Sequence, residues 1–263
     1  MLVLARKFWF SDANVSVDSP KELHLLFVQA KGMVIRGFLP TSRDQAIDLA
    51  ALGLQIRHGN FDPERTKKKG WLEPEEFLAK QWYKSKKKMV DLEKDIAKEW
   101  KRKVGLNEAN AKYRYLQTCR SLPTWGITHW RVEEKVQVKK NVPPKWVFIR
   151  VGITRKSFLV MDDKTYEVLK EWPIHKIKRW SASDVGFTLD LGDWEDEYLV
   201  CRTRKGGEIA QQLAGYIDII LKQKRQAPNL RTEDDAQIGK VTNVAVTRGH
   251  AGKARTAVTA QGN

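Results

Sequence analysis

The sequence of 263 residues is long enough for two compact domains, and its 41% hydrophobic content can supply a core to each. No stretch approaches the roughly 20 apolar residues of a membrane span. The opening MLVLARKFWF turns basic at Arg6 and Lys7 with no small-residue cleavage site after it, which argues against a secretory signal. A net charge of +16 calls for an anionic partner, either nucleic acid or an anionic membrane surface.

Leu2 to Phe10 reads as a strand with no partner nearby. SPKE, Ser19 to Glu22, reads as a capping box with Pro at the first helical position. It opens a helix with Leu23, Leu26, Phe27 and Ala30 at helical spacing. A second helix follows Thr41 and Ser42, buries Ala46, Ile47, Leu49, Ala50 and Leu52, and places Gly53 near its end. The pattern predicts further helices over Glu73–Tyr83, Asp91–Val104 and Asn107–Leu122, the last stopped by Pro123. The first half is therefore a helical bundle.

The period then changes. Thr128–Val138, Trp146–Thr154, Ser157–Met161, Tyr166–Trp172, Ile177–Ser183, Phe187–Leu191 and Tyr198–Thr203 are short runs rich in branched and aromatic residues, and read as seven strands. Asp162–Thr165 is a hairpin turn, and Asn141–Lys145, with Pro143 and Pro144, is a loop. One amphipathic helix, GGEIAQQLAGYIDIILKQKRQ, closes the unit with Ile209, Leu213, Tyr216, Ile217 and Ile220 on its stripe. Seven strands and one helix imply a small sheet sandwich or a partly open barrel capped by the helix. Residues 227–263 hold no aromatic residue and read as a disordered linker or tail.

Chemistry of an enzymatic kind finds little support. The histidines His24, His58, His129, His175 and His250 stand singly without metal spacing. Asp162–Asp163 and the acids Asp193, Glu195, Asp196 and Glu197 fall in turns, with no nucleophile or phosphate loop beside them. Gly206–Gly207 is explained by helix initiation. Cys119 and Cys201 are far apart and outside any metal motif, which implies a reduced, cytosolic chain with no cofactor. No zinc-finger spacing or aromatic RNA-binding signature accompanies the lysines, so nucleic acid is not the expected partner.

One stretch stands out. IKRWSAS sets Lys178, Arg179 and Trp180 side by side in a strand. The Trp is either an ordinary strand residue facing the core, the commoner case, or the lip of a docking groove.

Several segments resemble the talin family of FERM proteins: RKFWFSDANV, LHLLFVQAK, AKYRYLQTCRSLPTWGI, VGITRKSFLVMDDKTYEVLKEW, IKRWSAS, FTLDLGDWEDEY and GGEIAQQLAGYIDIILK. The resemblance covers about Leu2 to Arg225. It implies an α+β chain of two domains, an acyl-CoA-binding-protein-like bundle followed by a PH/PTB-like seven-stranded β-sandwich capped by a C-terminal helix. On this basis 1–16 is the last strand of a truncated first lobe and its connector, and 17–123 is the helical middle lobe. The PTB-like third lobe is 124–226, and 227–263 leads toward a rod.

The resemblance also implies a function without catalysis. The third lobe would bind the cytoplasmic tail of an integrin-like β-subunit, through an Asn-Pro-x-Tyr-type motif, by strand addition beside the C-terminal helix. Lys178, Arg179, Trp180, Ser181, Ala182, Tyr198 and Ile217 match that groove, with Arg179 and Trp180 receiving the peptide's aromatic residue. Position 181 carries Ser where the resemblance leads one to expect Ala. Trp146, where a leucine is expected, follows a longer loop, about Val138 to Lys145, that would hold the membrane-proximal part of the tail. Lys68, Lys84, Lys86, Lys87 and Lys88 on the middle lobe, with Lys139, Lys140 and Lys145 on the third, would contact anionic phospholipids or phosphoinositides. Each lysine near such a leaflet contributes about 1 kcal/mol. The rod would cover the third lobe in an autoinhibited state, and actin would be reached indirectly through the rest of the protein. All of this expects an open sheet edge and a reachable indole at 180.

Overall fold

The computed structural model describes residues 6–9, 15–68, 70–137, 143–192, 198–226 and 242–243, without the side chains of 86–88, 224, 226, 242 and 243. The chain divides into two units, Met1–Lys7 with Ser11–Trp125, and Phe8–Phe10 with Gly126–Asn263.

The first unit is helical: α1 (Pro20–Ile35), α2 (Arg43–His58), three single turns α3 (Pro63–Thr66), α4 (Pro74–Phe77) and α5 (Lys80–Tyr83), then α6 (Lys86–Lys101) and α7 (Glu108–Arg120). Alternate turns of the long helices bury Leu23, Phe27, Leu49, Ile96 and Leu116, and Phe27 meets Tyr115 edge to face at 5.0 Å. Gly53 lies inside α2 instead of near its end, and a Cβ there would stand 2.9 Å from the Phe77 ring.

Two local expectations are corrected. The box at Ser19 does not close: its hydroxyl donates to the Ser16 carbonyl, while the reciprocal box forms at α2 between Ser42 and Gln45. The helix expected over Glu73–Tyr83 is broken, because Leu78 is extended (φ −129, ψ 146). Phe77, Leu78 and Ala79 are all buried, and one face of a helix cannot bury three consecutive residues.

The second unit is a single sheet of eight strands. These are β1 (Thr128–Val136), β2 (Lys145–Ile153), β3 (Ser157–Asp162), β4 (Val168–Pro173), β5 (Arg179–Ala182), β6 (Gly186–Asp190), β7 (Tyr198–Arg202) and β8 (Thr242–Asn243). Their order is β4-β3-β2-β1-β7-β6-β5-β8. The first seven pair antiparallel, and β8 lies parallel to β5. Helix α8 (Gly206–Gln226) packs on β5 and β6. Its start touches the β5–β6 turn, since a Cβ at Gly206 would stand 2.8 Å from the Ser183 carbonyl oxygen.

The expected strand Leu2–Phe10 is absent from its described part, residues 6–9; the rest lies outside the described residues. Trp9 N–H donates to the Tyr216 hydroxyl at 2.8 Å instead of to a strand. Phe8 meets the same ring edge to face at 5.1 Å and packs over Gly215, where a Cβ would overlap it. Residues 227–263, expected as a linker or tail, lie outside the described residues apart from β8.

Candidate docking edge and basic surface

Strand pleating sorts the candidate residues. On β5, Arg179 and Ser181 are exposed, while Trp180 and Ala182 are buried. Register carries this across the sheet: Arg179 stands opposite Asp190, which stands opposite Tyr198, and Ser181, Thr188 and Val200 form the next row. Arg202 follows on β7, opposite Glu133, which is opposite Phe148; Trp146 lies two residues from Phe148 on the same side. The outer face therefore gathers Arg179, Ser181, Tyr198 and Trp146.

The inner face takes the others. Trp180 is 3% exposed and belongs to the core with Ala182, Leu189, Tyr216 and Ile217. The expectation that Trp180 offers its area to a peptide is thus corrected: alternation with two polar neighbours turns it inward. Its indole N–H is buried with no hydrogen-bond partner among the described residues. Ile217 is buried against the same core instead of lining an open groove.

The edge of β5 is also not open along its full length. Ser183 N–H donates to the Gly186 carbonyl, and stepping back by twos directs the main-chain groups of Ser181 and Arg179 toward β6. Those of Trp180 and Ala182 face away from β6. There β8 pairs, Thr242 with Arg179 and Asn243 with Trp180.

Arg179 is held in place. Asp190 Oδ2 accepts from its Nε at 2.9 Å and from Nη2 at 2.7 Å, and the bond to Asp190 raises the guanidinium pKa, with Tyr198 adding to the shift. Asp190 Oδ1 accepts from Gly192 N–H at 2.9 Å, where φ is +71°, so one carboxylate both fixes the turn and aims the arginine. Lys178 is exposed, and its stem lies against Gly192.

Farther across the outer face a hollow of about 680 Å³ is lined by Trp146, Ser181, Thr188, Val200, Arg202 and Arg204, among others. The Arg202 guanidinium lies 4.2 Å from the Trp146 ring centroid and reaches Glu133 at 3.5 Å. Phe148, half exposed, is covered by Arg131 at 3.8 Å. Asp190, Thr188 and Arg202 escaped sequence reasoning; they become visible only when strand register is known.

Among the basic candidates Lys68 and Lys84 are exposed on the first unit and Lys145 on the second. The side chains of Lys86, Lys87 and Lys88, and Lys139 and Lys140 entirely, lie outside the described residues. Among the described residues no helix is long and apolar enough to cross a membrane.

Comparison with known proteins places this geometry. Residues 12–130 match the FERM central domain, and residues 131–221 match the IRS-1 type PTB domain. Talin-B of Dictyostelium discoideum is 39% identical over 262 residues, 100% of this chain and 10% of that protein. Talin-A of the same organism is 42% identical over 247 residues, 94% of this chain and 10% of that protein. The chain thus spans about a tenth of the length of these relatives. The structure of the human Myosin 7b C-terminal MyTH4-FERM domain, solved with a harmonin-a PDZ3 domain, superposes with a TM-score of 0.62 at 24% identity, covering 82% of this chain and 42% of that one. FERM and PTB domains are adaptor modules, not enzymes. The chain therefore carries a FERM central domain followed by an IRS-1 type PTB domain, and it is similar to talins along nearly its whole length.

Proposed function

We propose that the chain is the receptor-docking part of an adhesion adaptor, which takes the cytoplasmic tail of an integrin-like β-subunit as an added strand on β5. The observation that carries this reading is the pinned arginine at that edge. Arg179 is exposed, clamped by Asp190 and set beside Tyr198, so an aromatic side chain of the incoming strand can stack on a guanidinium already held in place. Selectivity then resides in Arg179, Ser181 and Tyr198. Trp180, Ala182 and Ile217 support the strand from within. The hollow beside Trp146 suits the portion of the tail nearest the membrane.

Membrane contact completes the role. Lys68, Lys84, Lys86, Lys87 and Lys88, with Lys139, Lys140 and Lys145, would meet anionic phospholipids, and the rest of the protein would carry the link to actin. A second reading, a phosphoinositide-dependent scaffold whose groove is mainly an autoinhibition site for the protein's own segments or rod, is favoured by the presence of β8 on β5.

Calorimetric titration of an Asn-Pro-x-Tyr peptide into the full chain tests the first reading. Arg179→Ala is expected to weaken binding about tenfold. Equal affinity in Arg179→Ala and in Ser181→Lys would remove docking from this edge. Charge reversal at Lys84, Lys86 and Lys87 is expected to abolish sedimentation with anionic vesicles, and its persistence would remove the lysines from the membrane face.

A further inference from the structure

The arginines on the outer face of the sheet are not equally matched by carboxylates. Arg131 Nε meets both oxygens of Asp163 at 2.9 Å, and Arg179 meets Asp190 at 2.9 and 2.7 Å. Arg202 has Glu133 at 3.5 Å, the far limit of a hydrogen bond, and Arg204 has no ion pair among the described residues. Both are exposed, and both line the hollow of about 680 Å³, whose one acid among the described residues is Glu133. Unmatched positive charge and open space therefore coincide.

The two guanidiniums are also held in position. Arg202 lies 4.2 Å from the Trp146 ring centroid, a cation–π contact that leaves its in-plane N–H groups for an acceptor. Arg204 rides on a fixed turn between β7 and α8. Thr203 N–H donates to the Val185 carbonyl at 3.0 Å, and Lys205 N–H donates to the Thr203 hydroxyl at 3.0 Å. Gly206 then packs so close that a Cβ would stand 2.4 Å from the Gly186 carbonyl oxygen. Ser181 and Thr188 add hydroxyl groups to the wall.

We infer that this hollow selects an acidic side chain, Asp or Glu, of the docked peptide, with Arg202 and Arg204 as the residues that read it. The inference rests on reading β5 as the docking edge and adds the residue class that the site selects. A carboxylate entering there gains charge-assisted bonds from guanidiniums whose own acid is distant or absent. An amide of the same shape does not, so discrimination is by charge and not by size. Arg202 stands two strands from β5, about 10 Å at ordinary strand spacing. The acid therefore lies at least about three extended residues from the segment that pairs with β5.

The test titrates the full chain with an Asn-Pro-x-Tyr peptide flanked on both sides by short segments containing Glu, and with the same peptide carrying Gln in their place. The Glu peptide is expected to bind about tenfold tighter. Arg202→Gln with Arg204→Gln is expected to close that gap, and Arg202→Lys with Arg204→Lys to keep about threefold of it, since charge remains and the fork is lost. Equal affinity of the two peptides for the unaltered chain overturns acid selection and leaves docking on β5 standing. An unchanged gap in the double Gln chain places the acid elsewhere and also overturns the inference. A double Gln chain that loses only its sedimentation with anionic vesicles gives these arginines to a lipid surface instead. If neither peptide binds, the Glu segment alone is titrated and followed at the Trp146 indole by NMR. A shift that the double Gln chain lacks keeps the hollow as an acid site while the receptor reading falls, and no shift overturns both.

Discussion

The sheet's two edges are handled in different ways. Strand β4 leaves Val168 and Leu169 51% and 57% exposed, yet it carries Lys170 and Glu171, ends in Pro173 without an amide donor, and faces a register shift on β3 at Val160–Met161. Charges, proline and bulges are the usual devices that stop a strand edge from recruiting another chain. β5 has neither proline nor bulge, and its one charge is tied sideways to Asp190. It is covered by a short strand instead. An edge covered reversibly can be uncovered; an edge blunted by its own side chains cannot. The difference supports the proposed docking on β5 and the reading of β4 as a passive margin.

Substitution on each edge gives the largest contrast. Trp180→Ala, in the core, is expected to cost the sheet unit about 3–5 kcal/mol, while Leu169→Ala on β4 stays within about 0.5 kcal/mol. Urea unfolding followed by amide exchange in each unit separates the two. Equal costs would mean that β5 is as peripheral as β4 and that its indole is not part of the core.

That contrast also shows what could be read in advance. All seven strands and the closing helix were legible, because branched and aromatic runs alternate over short stretches between turns. The inward indole was legible too: Arg179, Trp180, Ser181 and Ala182 alternate polar and apolar, as a half-buried strand does. Other features had no local signal. Asp190 meets Arg179 only through register, and a two-residue strand such as β8 is too short to have a period. The break at Leu78 follows from a core that takes three neighbouring side chains, which helical spacing does not anticipate.

A smaller effect concerns the outer side of β5. Asp190→Asn keeps the shape of the side chain but removes the charge that aims Arg179. Peptide affinity is expected to fall about threefold, less than for Arg179→Ala, since the guanidinium remains but is no longer held. The equivalent change on β4, Glu171→Gln, is expected to leave affinity unaltered. Calorimetry with the same peptide decides; a loss from Glu171→Gln would place the ligand on the wrong edge.

The smallest effect is the most diagnostic of how β5 is covered. Cys201 lies on β7 opposite Phe187, on the inner face that also holds Trp180, and burial pushes its thiol pKa up to about 12. Burial does the same to Cys119 in the helical unit. A folded pKa above the unfolded value of about 8.5 means that the unfolded chain loses the proton first. These thiols therefore leave stability unaffected below about pH 8 and lower it as pH rises toward 12, by at most about 1.4 kcal/mol per pH unit for each thiol. At pH 8 both are protonated and shielded, so alkylation is slow in the native chain and rapid in guanidinium. If β8 only covers an edge, a chain with Thr242→Pro and Asn243→Pro, which removes both amide donors from β8, alkylates Cys201 at the native rate, within about twofold. A faster reaction at Cys201, with Cys119 unchanged, would show that lifting β8 also opens the core beneath it. The two edges would then differ in stability as well as in access.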